Sequence, residues 1–263
     1  MKIERFVVNP FQENTYIVSD ETKQGVIIDC GAFYTEERKA IMDYIKENDI
    51  TIKHLIATHA HIDHCFGNNT IYDELGVKPE VFKDDEYLMA KLEKQALDFM
   101  LPIMKAADVL HQNKMTHLDI KPDNIMLKHD ADSNKVVPVL IDFGLAKHYD
   151  EKGKPTSRIR NLGCSDGYAP IEQYTGIYTF TPQADVYALA ATLLYLLIGK
   201  DPVTASDISK ENVLNSLPNN VSIKVKNAIV AAMKMRKEER TSTVANFLDS
   251  LVNSCRTQNR VKT

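Results

Sequence analysis

Apolar residues follow two different patterns along the chain. From position 2 to about 56 they come as short β-branched runs, Phe6-Val7-Val8, Thr15-Tyr16-Ile17-Val18, Val26-Ile27-Ile28 and His54-Leu55-Ile56, with a helical stretch over 36–47 before the last of them. Runs of this length and composition predict strands, and the alternation with a helix gives the region an α/β character. After Lys135 one strand run remains, over 136–142, and spacings of three and four predict helices over 183–198, 223–233 and 241–252. The second half is therefore expected to be mostly helical.

No Gly/Ser-rich or Pro-rich linker separates the halves. Instead Leu88, Leu92, Ala96, Phe99, Ile103, Ala107 and Leu110 recur at steps of three and four, which predicts one continuous amphipathic helix across the junction. Pro102 lies inside it, and a proline there removes a donor and crowds the preceding turn, so a kink is expected. The apolar run over 186–199 is too short to cross a bilayer and suits a buried helix, so no membrane association is expected.

Composition narrows the function classes. The net charge of -4 and pI near 6.1 supply no field for nucleic acid, and none is expected as a partner. The start, Met-Lys-Ile-Glu-Arg, lacks the apolar block of a secretory signal. Cys30, Cys65, Cys164 and Cys255 form no paired motif, which fits a reduced, cytoplasmic setting.

Two constellations carry chemistry. The first, Thr58-His59-Ala60-His61-Ile62-Asp63-His64, follows directly on the strand run Leu55-Ile56-Ala57. In an extended segment His59 and His61 project to one side and can share a metal, while Asp63 and His64 can turn toward a neighbouring one. Imidazole with carboxylate suits zinc, or iron and manganese less selectively. These residues resemble the signature of the metallo-β-lactamase superfamily, in particular its glyoxalase-type hydrolases, over about 1–95. The resemblance implies His59, His61, Asp63 and His64 as ligands of two metals, with a bound hydroxide as nucleophile, and makes Asp29 and Gly31 a structural turn. The family's later histidine, bridging aspartate and final histidine have no counterparts downstream. A catalytic zinc takes three protein ligands as a rule, so weak metal binding is expected.

The second constellation is His117-Leu118-Asp119-Ile120-Lys121-Pro122-Asp123-Asn124, followed by Ile141-Asp142-Phe143-Gly144, Tyr168-Ala169-Pro170-Ile171-Glu172, Asp185-Val186-Tyr187 and Arg240. In this order the motifs resemble the C-terminal lobe of serine/threonine protein kinases over 96–263. The resemblance implies that Asp119 accepts the proton of a substrate hydroxyl, Lys121 neutralises the transferring phosphate, and Asn124 and Asp142 hold Mg²⁺ with ATP. It further implies that Asp185 supports the catalytic loop from beneath and that Glu172 pairs with Arg240. Leu118 stands where many kinases have an arginine, and Cys164-Ser165-Asp166-Gly167 departs from the usual Gly-Thr approach to the Ala-Pro-Glu region. Nothing before Ala96 resembles a glycine-rich phosphate loop or the lysine and glutamate of the other lobe, so weak binding of Mg²⁺ with ATP is expected.

The expected fold class is thus α+β: an α/β metallo-β-lactamase-like half-domain over 1–95, then a mostly helical kinase-like C-lobe over 96–263. The function implied is that of a serine/threonine-kinase-related protein with impaired transfer, acting on a protein substrate or partner. The alternatives are an incomplete metal-dependent hydrolase, a non-catalytic binding module, and a fusion without a selected role. Half-folds expose apolar faces, so a homo-oligomer is expected.

Overall fold

A computed structural model describes residues 1–58, 62–80, 92–130, 135–152, 154–156, 163–175 and 181–252. The fold is α+β and divides into two compact units, Met1–Leu97 with Tyr195–Asp201, and Asp98–Leu194 with Pro202–Thr263.

The first unit is built on a five-stranded sheet in the order β1-β2-β3-β4-β5, comprising Lys2–Val8, Glu13–Ser19, Gln24–Ile28, Thr51–Ile56 and Pro79–Glu80. The first three strands form an antiparallel meander, with Phe6 opposite Thr15 and Ile17 opposite Ile27. Helix α1 (Thr35–Glu47) then carries the chain across, so β4 pairs parallel to β3; α2 (Asn68–Leu75) lies between β4 and β5, which also pair in parallel. Alternation sends Val8, Ile17, Ile27 and Leu55 to one face, and a register shift where Gly25 pairs with Ile52 but Val26 with His54 brings Ile52 to the same face; there they pack with Ile41 and Ile45 of α1 and Ile71 of α2. Glu37 fixes the start of α1: its carboxylate accepts the N–H groups of Phe33 (2.9 Å) and Tyr34 (3.0 Å), as well as that of Asn9 (2.8 Å). Within this unit buried Arg38 donates to the Tyr195 hydroxyl (2.7 Å) and to Asp201 (3.1 Å).

The junction helix, α3 (Leu92–Gln112), runs through Pro102 without interruption. Its buried stripe is Ala96, Met100, Ile103, Met104 and Ala107, while Phe99 and Leu110 are half-buried. Leu88, the first residue of the expected stripe, lies outside the described residues.

In the second unit the short strands β6 (Met115–Thr116) and β9 (Lys147–His148) pair with each other, and β7 (Ile125–Asp130) pairs antiparallel with β8 (Lys135–Leu140). Its helices are α4 (Ile171–Tyr174), α5 (Pro182–Ile198, of which Tyr195 onward is counted in the first unit), α6 (Lys210–Ser216), α7 (Ile223–Ala232) and α8 (Val244–Val252). Every side chain of α5 from Ala184 onward is buried, as its nearly unbroken apolar sequence requires. Serines cap the two helices that follow: Ser209 accepts from Asn212 N (3.0 Å) and Ser222 from Val225 N (3.3 Å). Among the described residues no helix is long and apolar enough to cross a membrane.

Candidate active site

The loop after β6 is held by one buried carboxylate. Asp185, in the first turn of α5, is fully buried and accepts the backbone N–H of His117 and of Leu118 and the Nε2 of His111, each at 2.8 Å. Leu118 thereby sits at φ +68°, a conformation costly for a bulky L-residue. Two further contacts hold it there: its carbonyl accepts from the Gln173 amide at 3.0 Å, and its side chain packs with Ala184, Leu145 and Tyr149. A leucine suits that apolar seat, where an arginine would bury its charge.

His117 is also buried. Its Nδ1 accepts the Asp119 N–H (3.3 Å), so Nε2 is the protonated nitrogen and donates to the Ile141 carbonyl (3.1 Å). That bond ties the loop to the end of β8, and Phe143 meets the imidazole edge-on with ring centres 5.0 Å apart.

Asp119 projects from this rigid loop with both oxygens engaged. Oδ1 accepts from the Ser165 hydroxyl (2.7 Å) and Oδ2 from the Asn124 amide (2.8 Å), which also donates to the Asp119 carbonyl (2.8 Å). Lys121 Nζ donates to Ser165 Oγ (3.0 Å) and lies 3.7 Å from Asp119 Oδ2. The Ser165 hydroxyl therefore bridges carboxylate and ammonium, donating to one and accepting from the other. Beside it, burial with the charges of Asp166 and Asp119 pushes the Cys164 thiol up. Burial, helped by its hydrogen bond to Asp166, does the same to the Tyr174 phenol.

Asp142 is brought to this loop by the β7–β8 hairpin. Ile125 pairs with Leu140, and the register continues one step beyond the strands, where Ile141 N donates to Asn124 O (2.9 Å). Asn124 thus lies opposite Ile141, one residue before Asp142. Asp142 adopts φ +59°, is exposed, and accepts Gly144 N on Oδ1 (3.1 Å).

The segment that supplies Ser165 is anchored at two points downstream of it. Gly167, at φ +79°, lets the chain pass against Pro202, whose carbonyl oxygen lies 2.4 Å from where a Cβ would stand. Farther along, Glu172 receives Arg240 in a bidentate pair (2.7 and 3.0 Å). The remaining guanidinium N–H groups donate to the carbonyls of Lys234, Gln183 and Met235, which satisfies all five donors of a fully buried side chain.

The protein kinase domain profile matches residues 22–262. The chain belongs to the protein kinase domain family. It is 31% identical over 182 residues to serine/threonine-protein kinase PknA of Nostoc sp., covering 64% of this chain and 31% of that protein. It is 36% identical over 110 residues to serine/threonine-protein kinase C of Synechocystis sp., covering 40% and 19%. It is also 30% identical over 118 residues to serine/threonine-protein kinase PknF of Mycobacterium tuberculosis, covering 45% and 24%. The chain spans a third or less of the length of these relatives, and it is a serine/threonine-kinase-related protein. Among solved structures it is similar to BLEG-1 B3 metallo-β-lactamase at 22% identity and a TM-score of 0.31, covering 34% of this chain and 40% of that one.

The first unit of this kinase-family chain holds a separate cluster. Asp63 and His64 lie on a single 3-10 turn after β4, and Glu13 opens β2. Their ligand-type atoms all fall within 4.8 Å of one another. His64 Nε2 is 3.2 Å from Glu13 and 3.9 Å from Asp63, and Nδ1 is 3.3 Å from Asp29. Asp29, at φ +54°, also accepts the N–H (2.6 Å) and hydroxyl (2.7 Å) of Thr58, which fixes the end of β4. Gly31 allows the close approach, since a Cβ there would meet the Asp63 carbonyl oxygen at 2.4 Å. Burial pushes the neighbouring Cys30 and Cys65 thiols up to about 12. His59 and His61 lie outside the described residues.

Sequence reasoning had no hold on four of these residues. Glu13, His111 and Gln173 belong to no local motif. Ser165 reads in sequence as a departure from the family pattern, yet its hydroxyl occupies the contact between Asp119 and Lys121. The available signal was a hydroxyl side chain three residues before Tyr168 in a segment otherwise matched.

Proposed function

We propose that the second unit transfers a phosphoryl group from ATP to serine or threonine hydroxyls of a protein substrate. The observation that carries this reading is the Asp119–Ser165–Lys121 contact, which already seats one aliphatic hydroxyl between a carboxylate and an ammonium. Asp119 orients an incoming hydroxyl and takes its proton, and Lys121 offsets charge on the accepted group. The donor set fits a hard cation. Asn124 spends its N–H groups on Asp119 and so has its amide oxygen left to offer, and Asp142 presents an exposed carboxylate. Mg²⁺ bound there with ATP supplies charge neutralisation to the phosphates. The kinase motifs run from His117 to Arg240, whereas 1–80 forms a mixed sheet with a His/Asp cluster at its strand ends; we therefore read transfer as impaired.

Thermal unfolding of the purified chain with Mg²⁺ and ATP tests this, because a ligand of the folded state raises the midpoint. A rise lost in Asp142→Asn, with transfer to a serine-containing protein lost in Asp119→Asn, is expected. No rise at millimolar Mg²⁺ and ATP would refute the reading.

A second reading is favoured by the proximity of Glu13, Asp63 and His64. In it the first unit is a metallo-β-lactamase-type half-domain in which His59, His61, Asp63 and His64 hold Zn²⁺ or another divalent transition metal weakly, and copies of the chain pair through it. Metal analysis after dialysis against a mild chelator separates the cases. Near-stoichiometric zinc that survives dialysis and is lost in His59→Ala/His61→Ala would mean a more complete site.

A further inference from the structure

Apart from the catalytic loop, the second unit encloses a recess of about 260 Å³ between the start of α6 and the end of α7. Its floor is aliphatic: Ile208, Val213, Val230 and Met233 line it and are all buried. Its rim is cationic, with Lys210, Lys234 and Arg236 against a single carboxylate, Glu239. That carboxylate does little to quench the rim, because its contact with Arg236 is 4.0 Å between exposed side chains. Among the described residues neither Lys210 nor Lys234 has a side-chain hydrogen bond or ion pair, and Met235 on the same rim is 43% exposed.

Surface lysines are ordinarily a solvated face. Here three cations converge on an apolar concavity within a chain of net charge -4, so the local sign runs against the global one. An apolar floor inside a charged rim suits a ligand that inserts an aliphatic group and presents acidic groups around it. The lining is also close in sequence to residues that hold the segment carrying Ser165: Pro202, six residues before Ile208, packs on Gly167, and Arg240, next to Glu239, grips Glu172.

We infer that this recess docks an acidic, aliphatic-anchored segment of the protein partner presented to the catalytic loop. The partner is held at a point away from the hydroxyl it offers, with the aliphatic side chain on Val213, Val230 and Met233 and carboxylates facing Lys210, Lys234 and Arg236. Presentation to that loop rests on the kinase reading, whereas the docking itself does not require phosphoryl transfer.

The test is fluorescence anisotropy on the full chain with a short labelled peptide carrying central leucines flanked by glutamates. Two comparison peptides have the glutamates replaced by lysine or the leucines by serine. The leucine–glutamate peptide is expected to bind, with affinity falling as salt is raised. Affinity should drop about tenfold or more in Lys210→Glu/Lys234→Glu and stay unchanged in Lys39→Glu, the same charge reversal on exposed α1. Circular dichroism confirms that each variant is folded; should the double variant not fold, Arg236→Glu carries the same expectation at an 80% exposed side chain. Equal binding of the serine–glutamate peptide would reduce the recess to unspecific charge attraction and overturn the inference. Unchanged affinity in folded charge-reversed variants, or preference for heparin or anionic vesicles over the peptide, would overturn it equally. Failure of the Mg²⁺–ATP experiment with peptide binding intact refutes the kinase reading alone.

Discussion

Replacing Asp185 by alanine removes the carboxylate that accepts both backbone N–H groups at the start of the loop over 117–124. The native carboxylate is fully buried and receives two backbone N–H groups and one imidazole, all at 2.8 Å. Alanine leaves the N–H groups of His117 and Leu118 buried without a partner, at about 1–3 kcal/mol each. Part of this is recovered if the loop relaxes, because Leu118 at φ +68° stores about 1–3 kcal/mol that only the surrounding contacts sustain. The net expectation is a loss of about 3 kcal/mol, a large share of the roughly 5–15 kcal/mol of a typical domain. Asp185→Asn keeps one acceptor oxygen but turns an NH₂ toward a donor, so about half that loss is expected. The assay is urea unfolding followed by far-UV circular dichroism, with hydrogen exchange read at 117–124. Relaxation of the loop should speed exchange at His117 and Leu118 before global unfolding. A loss below about 1 kcal/mol with unchanged exchange there would refute the claim that Asp185 holds the strained backbone.

Glu172→Ala leaves the Arg240 guanidinium buried without its carboxylate, and a loss of about 3–5 kcal/mol is expected in the same unfolding assay. Gly31→Ala places a Cβ 2.4 Å from the Asp63 carbonyl and 2.8 Å from the Asn9 amide, so the turn must shift at about 1–3 kcal/mol, read as a lower urea midpoint. Stability should fall as pH rises from about 9 toward 12: burial holds the folded Cys30 thiol up at about 12, the unfolded thiol ionises near 9, and unfolding there releases a proton that the native state retains. Cys65 is held up to about 12 in the same way, so Cys30→Ala should reduce that alkaline slope by about half and the double replacement should remove most of it; an unchanged slope would show that the thiols are not the groups responsible. Edge strand β1 exposes Ile3 (56%) and Val7 (54%) on the face away from the core, so self-association is expected at micromolar concentration and Ile3→Lys/Val7→Lys should weaken it; a wild-type monomer in sedimentation would refute this.

The elements legible in the sequence were those whose burial pattern is local. The runs at Phe6–Val8, 15–18 and 26–28 fall within β1, β2 and β3, and the helix expected over 183–198 is Pro182–Ile198. Both follow from periodicity, since a strand with one buried face or a helix buried all round announces itself within a few residues. Strand β7, Ile-Met-Leu-Lys-His-Asp, was not legible. It has no alternation to report, and what makes it a strand is its antiparallel pairing with β8.

The same division holds at the sites. The residues proposed for phosphoryl transfer, Asp119, Lys121, Asn124 and Asp142, and those proposed for metal binding, His59, His61, Asp63 and His64, stand at short spacing in the sequence, where local motifs make them visible. Tertiary structure alone decided that Ser165 meets Asp119 across 46 residues, that Asp185 holds His117 across 68, and that Glu13 reaches His64. It also decided that Leu118 turns to positive φ, a conformation that nothing in its own side chain favours. Spacing in sequence reports which groups share one element. Which groups meet between elements depends on how buried polar atoms find partners once the apolar faces have packed, and that is a property of the whole fold.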